Sequence, residues 1–202
     1  EYIILTGETF NGDDVTPEVY EYFGYANAAE FASMQDEPDA DGKPKGVTAL
    51  LSRAGLKYTE LVELVKTRFI NPYQDTLDFL QKFFSYASID IDANDLYAKL
   101  GQIEAGTLSP IGKAMIENAL NAYNSATGAS LAFDEFAQWV TDHLGEFRQV
   151  ITLYEPDSKC SLKTTELRTI QSIYDDSETP GITDPIWSRM HRFIRLWRKL
   201  GW

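Results

Sequence analysis

The sequence is poor in the side chains that most often carry chemistry. Its 202 residues include one cysteine, Cys160, and two histidines, His143 and His191. A lone cysteine cannot form a disulfide within the chain, so it gives no indication of redox compartment. A zinc site needs several Cys and His ligands at short spacings, and the sequence has none. Each histidine lies on a predicted helix beside aromatic residues, and we interpret both as packing or surface residues.

Long apolar runs and catalytic motifs are also missing. No apolar stretch reaches the length needed to cross a bilayer. The sequence has no Gly-rich phosphate loop, nucleophile elbow or HExxH pattern. Two acidic stretches, 37–42 and 90–94, begin like EF-hand loops, but their twelfth positions are Thr48 and Gly101 where a glutamate is needed. We therefore predict a non-enzymatic chain with no metal and no cofactor.

Positive charge is scarce except at the end of the chain. The net charge is −13, which argues against nucleic-acid binding because phosphate contacts need a positive surface. From Pro185 onward there are five Lys/Arg and no Asp/Glu, so the preceding residues carry 13 Lys/Arg against 31 Asp/Glu. The last segment is therefore a basic element on an acidic body.

The periodicity predicts a mainly α fold, an irregular multi-helix bundle with a small β-hairpin near residues 149–170. Thr165–Tyr174 could instead be helical. The stretch Gln35–Gly46, rich in Pro, Gly and charge, predicts a loop. Apolar residues at three- and four-residue intervals, with capping residues, predict helices over Val47–Ala54, Thr59–Phe69, Asp75–Tyr86, Asp92–Glu104, Ser109–Ser125 and Phe133–Phe147.

The last segment predicts an amphipathic helix that begins at Asp184 with Pro185 in its first turn and stops at Gly201. Three placements are open: docking on the chain's own core, binding to a membrane surface or calmodulin-like partner, or docking on another subunit. Its apolar stripe consists of Ile186, Met190, Phe193, Ile194, Trp197 and Leu200.

Two long stretches resemble one known family in wording and order. The run His191–Trp202 reads HRFIRLWRKLGW, and Leu51–Pro72 ends in Thr-Arg-Phe-Ile-Asn-Pro. Both are similar to segments of the A subunits of the Tc insecticidal toxin complexes, a family that includes virulence-plasmid A proteins. A weaker similarity covers Ile151–Tyr154 and the Cys160-Ser-Leu run. The block 73–147 shows the least resemblance.

The resemblance implies a function as well as a place in a larger protein. It implies a fragment of the mostly helical shell of a secreted or cell-surface-associated toxin subunit, which forms a homopentamer and acts with a B–C component that carries a toxic enzyme. In that family the A subunit recognises target cells, and its shell surrounds a translocation channel and opens on a pH change. We therefore expect a non-catalytic scaffold segment. A receptor- or partner-binding helical module of the same toxin is the alternative.

The same resemblance gives domain ranges and structural residues. We expect a helical shell segment at 1–72, a helical block at 73–147 that could be an insertion, and a hairpin with the basic helix at 148–202, all within one fragment of a longer protein. From the first matched run we expect structural roles for Arg68, Phe69 and Asn71. From the last run we expect apolar burial that anchors the helix from Trp197, Leu200 and Trp202. We expect ion pairs with the acidic body or with a neighbouring protomer from Arg192, Arg195 and Arg198.

One observation separates the scaffold from the binding module. A large exposed aromatic patch on the 73–147 block favours a binding surface, whereas burial of the same rings favours a scaffold. The rings in question are Phe79, Phe83, Phe84, Tyr86 and Tyr97.

Overall fold

The computed structural model describes residues 18–36, 46–87, 91–155 and 161–201. Over these residues the protein is mainly α-helical with one small two-stranded antiparallel sheet, which confirms the predicted fold class. Several predictions lie outside the described residues. They are most of the loop within 35–46, the acidic stretch 37–42, Cys160, Trp202, and the end of a helix that the sequence favours at residues 1–5.

In chain order, the described elements alternate short helices with loops before four longer helices. The first part contains α1 (Val19–Tyr22), α2 (Ala28–Ala32), a 3-10 helix (Met34–Asp36), α3 (Val47–Ala54) and α4 (Tyr58–Val65). The middle part contains α5 (Gln74–Ala87), α6 (Ala93–Glu104), α7 (Pro110–Thr127) and α8 (Phe133–Gln149). The last part contains β1 (Ile151–Tyr154), β2 (Glu166–Thr169), α9 (Ile170–Tyr174) and α10 (Asp184–Leu200).

The chain divides into two compact units. The first consists of Glu1–Pro72, Ile151–Thr169 and Ser177–Trp202, and the second of Tyr73–Val150 and Ile170–Asp176. Because β2 lies in the first unit and α9 in the second, the 148–202 segment expected from the sequence is shared between them. Whether the middle block is an insertion on a family scaffold stays a prediction.

Each unit has its own apolar core. In the first unit the largest fully buried side chains include Met34, Leu50, Leu61, Leu64 and Ile70. In the second unit α5 packs on α7 and α6 packs on α8, around Leu80, Phe83, Leu96, Leu100, Ile116, Phe136 and Leu144. These residues recur at helical spacing, so the sequence pattern alone places them on one face of each helix.

Capping explains where most helices begin and end. Ser109 accepts a hydrogen bond from the Gly112 amide at the start of α7, and Asp92 accepts one from Asn94 at the start of α6. Gly55 ends α3 in the left-handed conformation, where a side chain would be strained. These signals are local, which is why the predicted bounds of these helices lie within a few residues of the observed ones.

The predicted helix over 59–69 is too long. Helix α4 ends at Val65, because two side chains bond to its last carbonyls. The Thr67 hydroxyl donates to the Leu64 carbonyl, and the side-chain Nδ2 of Asn71 donates to the Val65 carbonyl at 2.5 Å. The start of the helix also differs from the one expected, with Thr59 as the N-terminal cap. The Glu60 carboxylate accepts a hydrogen bond from the Lys57 backbone N–H at 2.6 Å, so the helix begins at Tyr58.

The hairpin combines both predicted alternatives for its second half. Ile151 pairs with Thr169, and the register continues to Tyr154 opposite Glu166. The chain then turns directly into α9, so the stretch considered as either strand or helix is a strand followed by a helix. A two-stranded sheet is marginal alone, and here its outer edges are paired with other parts of the first unit.

Buried side-chain amides pair with both outer edges of this sheet. On the β1 side, Asn71 Nδ2 donates to the Ile151 carbonyl at 2.8 Å, and its Oδ1 accepts from the Ile151 amide at 2.9 Å. On the β2 side, Gln35 Nε2 donates to the Leu167 carbonyl at 3.0 Å and its Oε1 accepts from the Leu167 amide at 2.6 Å. Each amide thus replaces one residue of a missing neighbouring strand.

The base of the segment between Gln35 and Gly46 is fixed by the same region. The Gly46 amide donates to the Gln35 carbonyl at 2.9 Å, and the Val47 amide donates to the Thr165 carbonyl at 2.8 Å. A side chain at Gly46 would place its Cβ 2.4 Å from the Thr165 carbonyl oxygen. Gln35, expected to begin a solvated loop, is instead buried within a 3-10 helix.

We predict that Asn71→Leu lowers the free energy of unfolding by at least about 3 kcal/mol, because it leaves three buried backbone groups of Val65 and Ile151 without partners. Denaturant titration measures this, with Asn121→Leu on the exposed face of α7 as the matched control. A loss below about 1 kcal/mol would show that water or relaxation replaces the amide.

Candidate functional site

The last helix, α10, docks on the core of the first unit. Ile186, Trp187, Met190 and Ile194 are buried on its inner face. The Trp187 ring lies edge-on to Phe23 and Phe31, with centroids 5.6 Å and 5.2 Å away. Trp187 was not in the predicted stripe, although its spacing from Met190 and Ile194 places it on the same face. Of the three placements, docking on its own core is therefore the one observed for this face.

An aromatic row joins the two stretches that carry the family resemblance. Phe69 stacks on Phe193 at 5.6 Å between centroids, and Phe193 lies 6.0 Å from Trp197. Such ring pairs add about 0.5–1.5 kcal/mol beyond the area they bury. Trp197 is half-buried, whereas Leu200 is 50% exposed, so the prediction that Leu200 anchors the helix by burial is wrong.

Arg198 closes the end of α3 instead of forming an ion pair. Its Nη2 donates to the carbonyls of Ala54 and Gly55, the latter at 2.7 Å. The last carbonyls of a helix have no hydrogen-bond donors within the helix, and they carry partial negative charge. A guanidinium at this end supplies the donors and a compensating positive charge. Among the described residues Arg198 thus binds carbonyls and no carboxylate, and it links the last helix to the other resembling stretch. An ion pair of Arg198 with a neighbouring protomer stays a prediction.

The remaining arginines of α10 have no carboxylate partner among the described residues. Within the part of the chain that the structure describes, Arg189, Arg192 and Arg195 form no ion pair. The Nε–H group of Arg192 is buried and donates to no acceptor among those residues. The predicted ion pairs of Arg192 and Arg195 with this chain's own acidic groups are thus not formed by the described residues.

His191 is packed between aromatic rings in the first unit. It stacks on Tyr22 at 4.3 Å with an angle of 9° between the ring planes, and lies edge-on to Phe23 at 5.9 Å. Burial lowers the pKa of His191 to about 4, and the charges of Arg195 and Arg198 add to the shift. The imidazole is therefore neutral near pH 7 and packs as an aromatic ring.

The other residues from the first matched run differ in their surroundings. Asn71 is buried at the sheet edge, Phe69 is 37% exposed beside Phe193, and Arg68 is exposed. The structural role expected for Arg68 stays a prediction. Sequence reasoning missed Gln35 and Trp187; the signal for Trp187 was its helical spacing, whereas Gln35 gave none because its partner Leu167 is 132 residues away.

The aromatic residues of the second unit form an interior, not a surface patch. Phe83 and Tyr97 are buried, and none of Phe79, Phe84 and Tyr86 is exposed. The rings contact one another and their neighbours, as in Phe83 on Phe136 at 4.7 Å and Tyr97 stacked on Tyr174 at 4.5 Å.

One polar cluster lies beside that aromatic interior. Arg148 donates to Glu104 at 2.6 Å and to the Tyr97 hydroxyl at 3.4 Å. Burial raises the pKa of Tyr97, and burial likewise raises the pKa of Tyr174. Both phenols therefore stay protonated at neutral pH, and the cluster acts as a bridge between α6 and α8.

A cleft of about 320 Å³ in the first unit does not bring together acid, base and nucleophile. It is lined by side chains that do not titrate near neutral pH, among them Phe31, Met34, Gln35, Thr183 and Trp187. Among the described residues, no group of three or more His, Cys, Asp or Glu is placed to hold a metal ion. Within the same ranges, no helix combines the length and apolarity that a bilayer crossing requires.

Comparison with known proteins adds no relative. No family model, curated protein or solved structure matches the chain.

We predict that Arg198→Gln lowers the free energy of unfolding by about 1 kcal/mol, because the last carbonyls of α3 lose a charged donor. The same change at Arg195, which is exposed on the same helix, leaves stability within about 0.5 kcal/mol. Urea titration of the two variants provides the measurement. Equal effects would contradict the capping role.

We predict that His191 makes the first unit less stable as the pH falls. Its folded pKa, about 4, lies below its ordinary value of 6.5, so the unfolded chain binds the proton first. The stability that the neutral His191 ring contributes to the folded unit is complete above pH 6.5 and is lost as the pH falls from 6.5 to about 4. His191→Phe removes this dependence, so the difference in unfolding free energy between variant and wild type grows over that range. Parallel stability curves would contradict the prediction.

Proposed function

We propose that this chain is a non-catalytic scaffold segment from the shell of a Tc toxin-complex A subunit, a secreted toxin component that delivers an enzyme into target cells. One observation carries the proposal: the two stretches that resemble this family pack against each other. Phe69 stacks on Phe193, and Arg198 binds the carbonyls of Ala54 and Gly55. Residues distant in sequence but similar to one family thus form one structural element.

Aromatic burial in the second unit favours a scaffold over a receptor-binding module. The five rings named as candidates for a binding surface pack between the helices of the second unit, which supports a structural role for this block. The alternative, a partner-binding module, is favoured by one different feature: Ile111, in the first turn of α7, is 76% exposed.

The polar chemistry of the described residues supports a non-catalytic role. The 320 Å³ cleft of the first unit has no titratable lining, and Tyr97, Arg148 and Glu104 bond to one another within the second unit. Catalysis needs convergent groups with matched pKa values in one cleft. Within the proposal, the expected partners are other protomers of the A subunit, the B–C component and the target-cell surface.

The proposal is tested by a chimaera: an A subunit of this family whose own matching segment is replaced by the present chain. We expect assembled particles by electron microscopy and delivery of a reporter carried by the B–C component into cells. Asn71→Leu in the chimaera should reduce assembly, whereas Asn121→Leu should not. A chimaera that is folded but neither assembles nor delivers the reporter overturns the proposal.

A further inference from the structure

The cleft of about 320 Å³ in the first unit has an aromatic floor and a wall of backbone. Its buried side chains include Phe31, Met34 and Trp187, and the wall is the stretch 179–183 that leads into α10. The Trp187 ring lies edge-on to Phe31 at 5.2 Å, so its orientation is fixed before any ligand arrives. The volume lies at the lower end of the range for small-molecule sites, roughly 300–1,000 Å³. We call this site the Trp187 cleft.

The indole N–H of Trp187 points to a ligand. Trp187 is 7% exposed and lines the cleft, yet its Nε1 donates to no described residue. This nitrogen is not among the fully enclosed atoms that lack a partner, so it lies on the part of the ring that remains accessible. A buried tryptophan N–H normally has a hydrogen-bond acceptor. The Trp187 cleft therefore presents a donor to the molecule that enters it.

The other polar side chains of the lining differ from Trp187. The Gln35 amide is buried and already pairs with both backbone groups of Leu167. At the rim, Thr183 precedes α10, and its hydroxyl caps none of the backbone N–H groups of that helix. A ligand that fits therefore has an apolar body for the floor of the cleft and an acceptor that faces Trp187 Nε1.

The charges beside the lining disfavour an anion. Asp36, Glu178 and Asp184 each adjoin a lining residue in the sequence, and all three are exposed. The lining itself contains no Lys, Arg or His. A carboxylate or phosphate in the cleft would be repelled by the neighbouring carboxylates. A protonated ring nitrogen has no lone pair left to accept from Trp187. The ligand is therefore neutral.

We propose that the Trp187 cleft binds a small, neutral, flat heteroaromatic molecule. Its rings pack on Phe31 and Met34, and its ring nitrogen or carbonyl oxygen accepts a hydrogen bond from Trp187 Nε1. An aromatic floor favours such rings because they stack or meet edge-on. An α-helix of a partner protein is about 10 Å wide and too bulky for this volume. The inference goes beyond the proposed function and does not depend on it.

The test uses two probes of the same shape, benzimidazole and indole, at a mildly alkaline pH at which both are neutral. Both are fused two-ring molecules with one N–H, but only benzimidazole has a ring nitrogen with a free lone pair. The 202-residue chain, labelled with ¹⁵N, is titrated with each probe while NMR records the indole N–H signals of its four tryptophans. The Trp187→Phe variant identifies the Trp187 signal by its loss.

We expect benzimidazole to shift the Trp187 signal downfield until it saturates, with a Kd of about 0.1–1 mM for a molecule of this size. Indole should bind about 5- to 10-fold more weakly, because it lacks the acceptor. Ala32→Leu, at the exposed rim of the cleft, should weaken benzimidazole binding about 10-fold or more by filling the space. The matched control is Ala29→Leu, exposed on the same helix but outside the lining, which should leave binding unchanged.

Three results would overturn the inference. A Trp187 signal that does not move up to the solubility limit of benzimidazole means that the cleft takes no such ligand. Equal affinities for the two probes mean that the indole N–H is not used, and equal binding by Ala32→Leu and Ala29→Leu places the probe elsewhere. Because both alanines are exposed, their variants keep the test valid even if Trp187→Phe does not fold. None of these results depends on the chimaera, so failure here leaves the proposed function standing.

Discussion

The pairing of Asn71 with both backbone groups of Ile151 is the constraint on which the first unit depends. The Asn71 side-chain amide donates to the Val65 carbonyl at the end of α4, and it pairs with both backbone groups of Ile151 at the outer edge of β1. A buried backbone group without a partner costs about 1–3 kcal/mol, so this single side chain decides whether a four-residue strand can exist in the core. Gln35 serves the β2 edge in the same way, and a short hairpin is thereby held by two amides from distant parts of the chain.

The residues of the last helix make different kinds of contact on its different faces. Its inner face supplies the core, Arg198 caps α3, and His191 packs as a neutral ring against Tyr22. The rest of its positive charge remains at the surface of an acidic chain. That division anchors the helix in the first unit through its inner face.

The two stretches that resemble the toxin family differ in how far their roles could be predicted. Phe69, Asn71, Trp197 and Arg198 all make contacts within the first unit, yet the partner of Arg198 is a helix end where an ion pair was expected. The charge of Arg198 is evident from the sequence. The carbonyls that it binds are not, because only the fold places the end of α3 beside α10. Leu200 shows the converse, because it is an apolar side chain at helical spacing that is nevertheless 50% exposed.

The sequence by itself determined the helical class, the capped ends of α3, α6 and α7, and the amphipathic nature of α10, because these depend on neighbouring residues and on helical periodicity. The early end of α4, the burial of Gln35 and the edges of the hairpin were decided only in the tertiary structure. Their hydrogen bonds join Asn71 to Ile151 across 80 residues and Gln35 to Leu167 across 132, and no local pattern encodes such a partner.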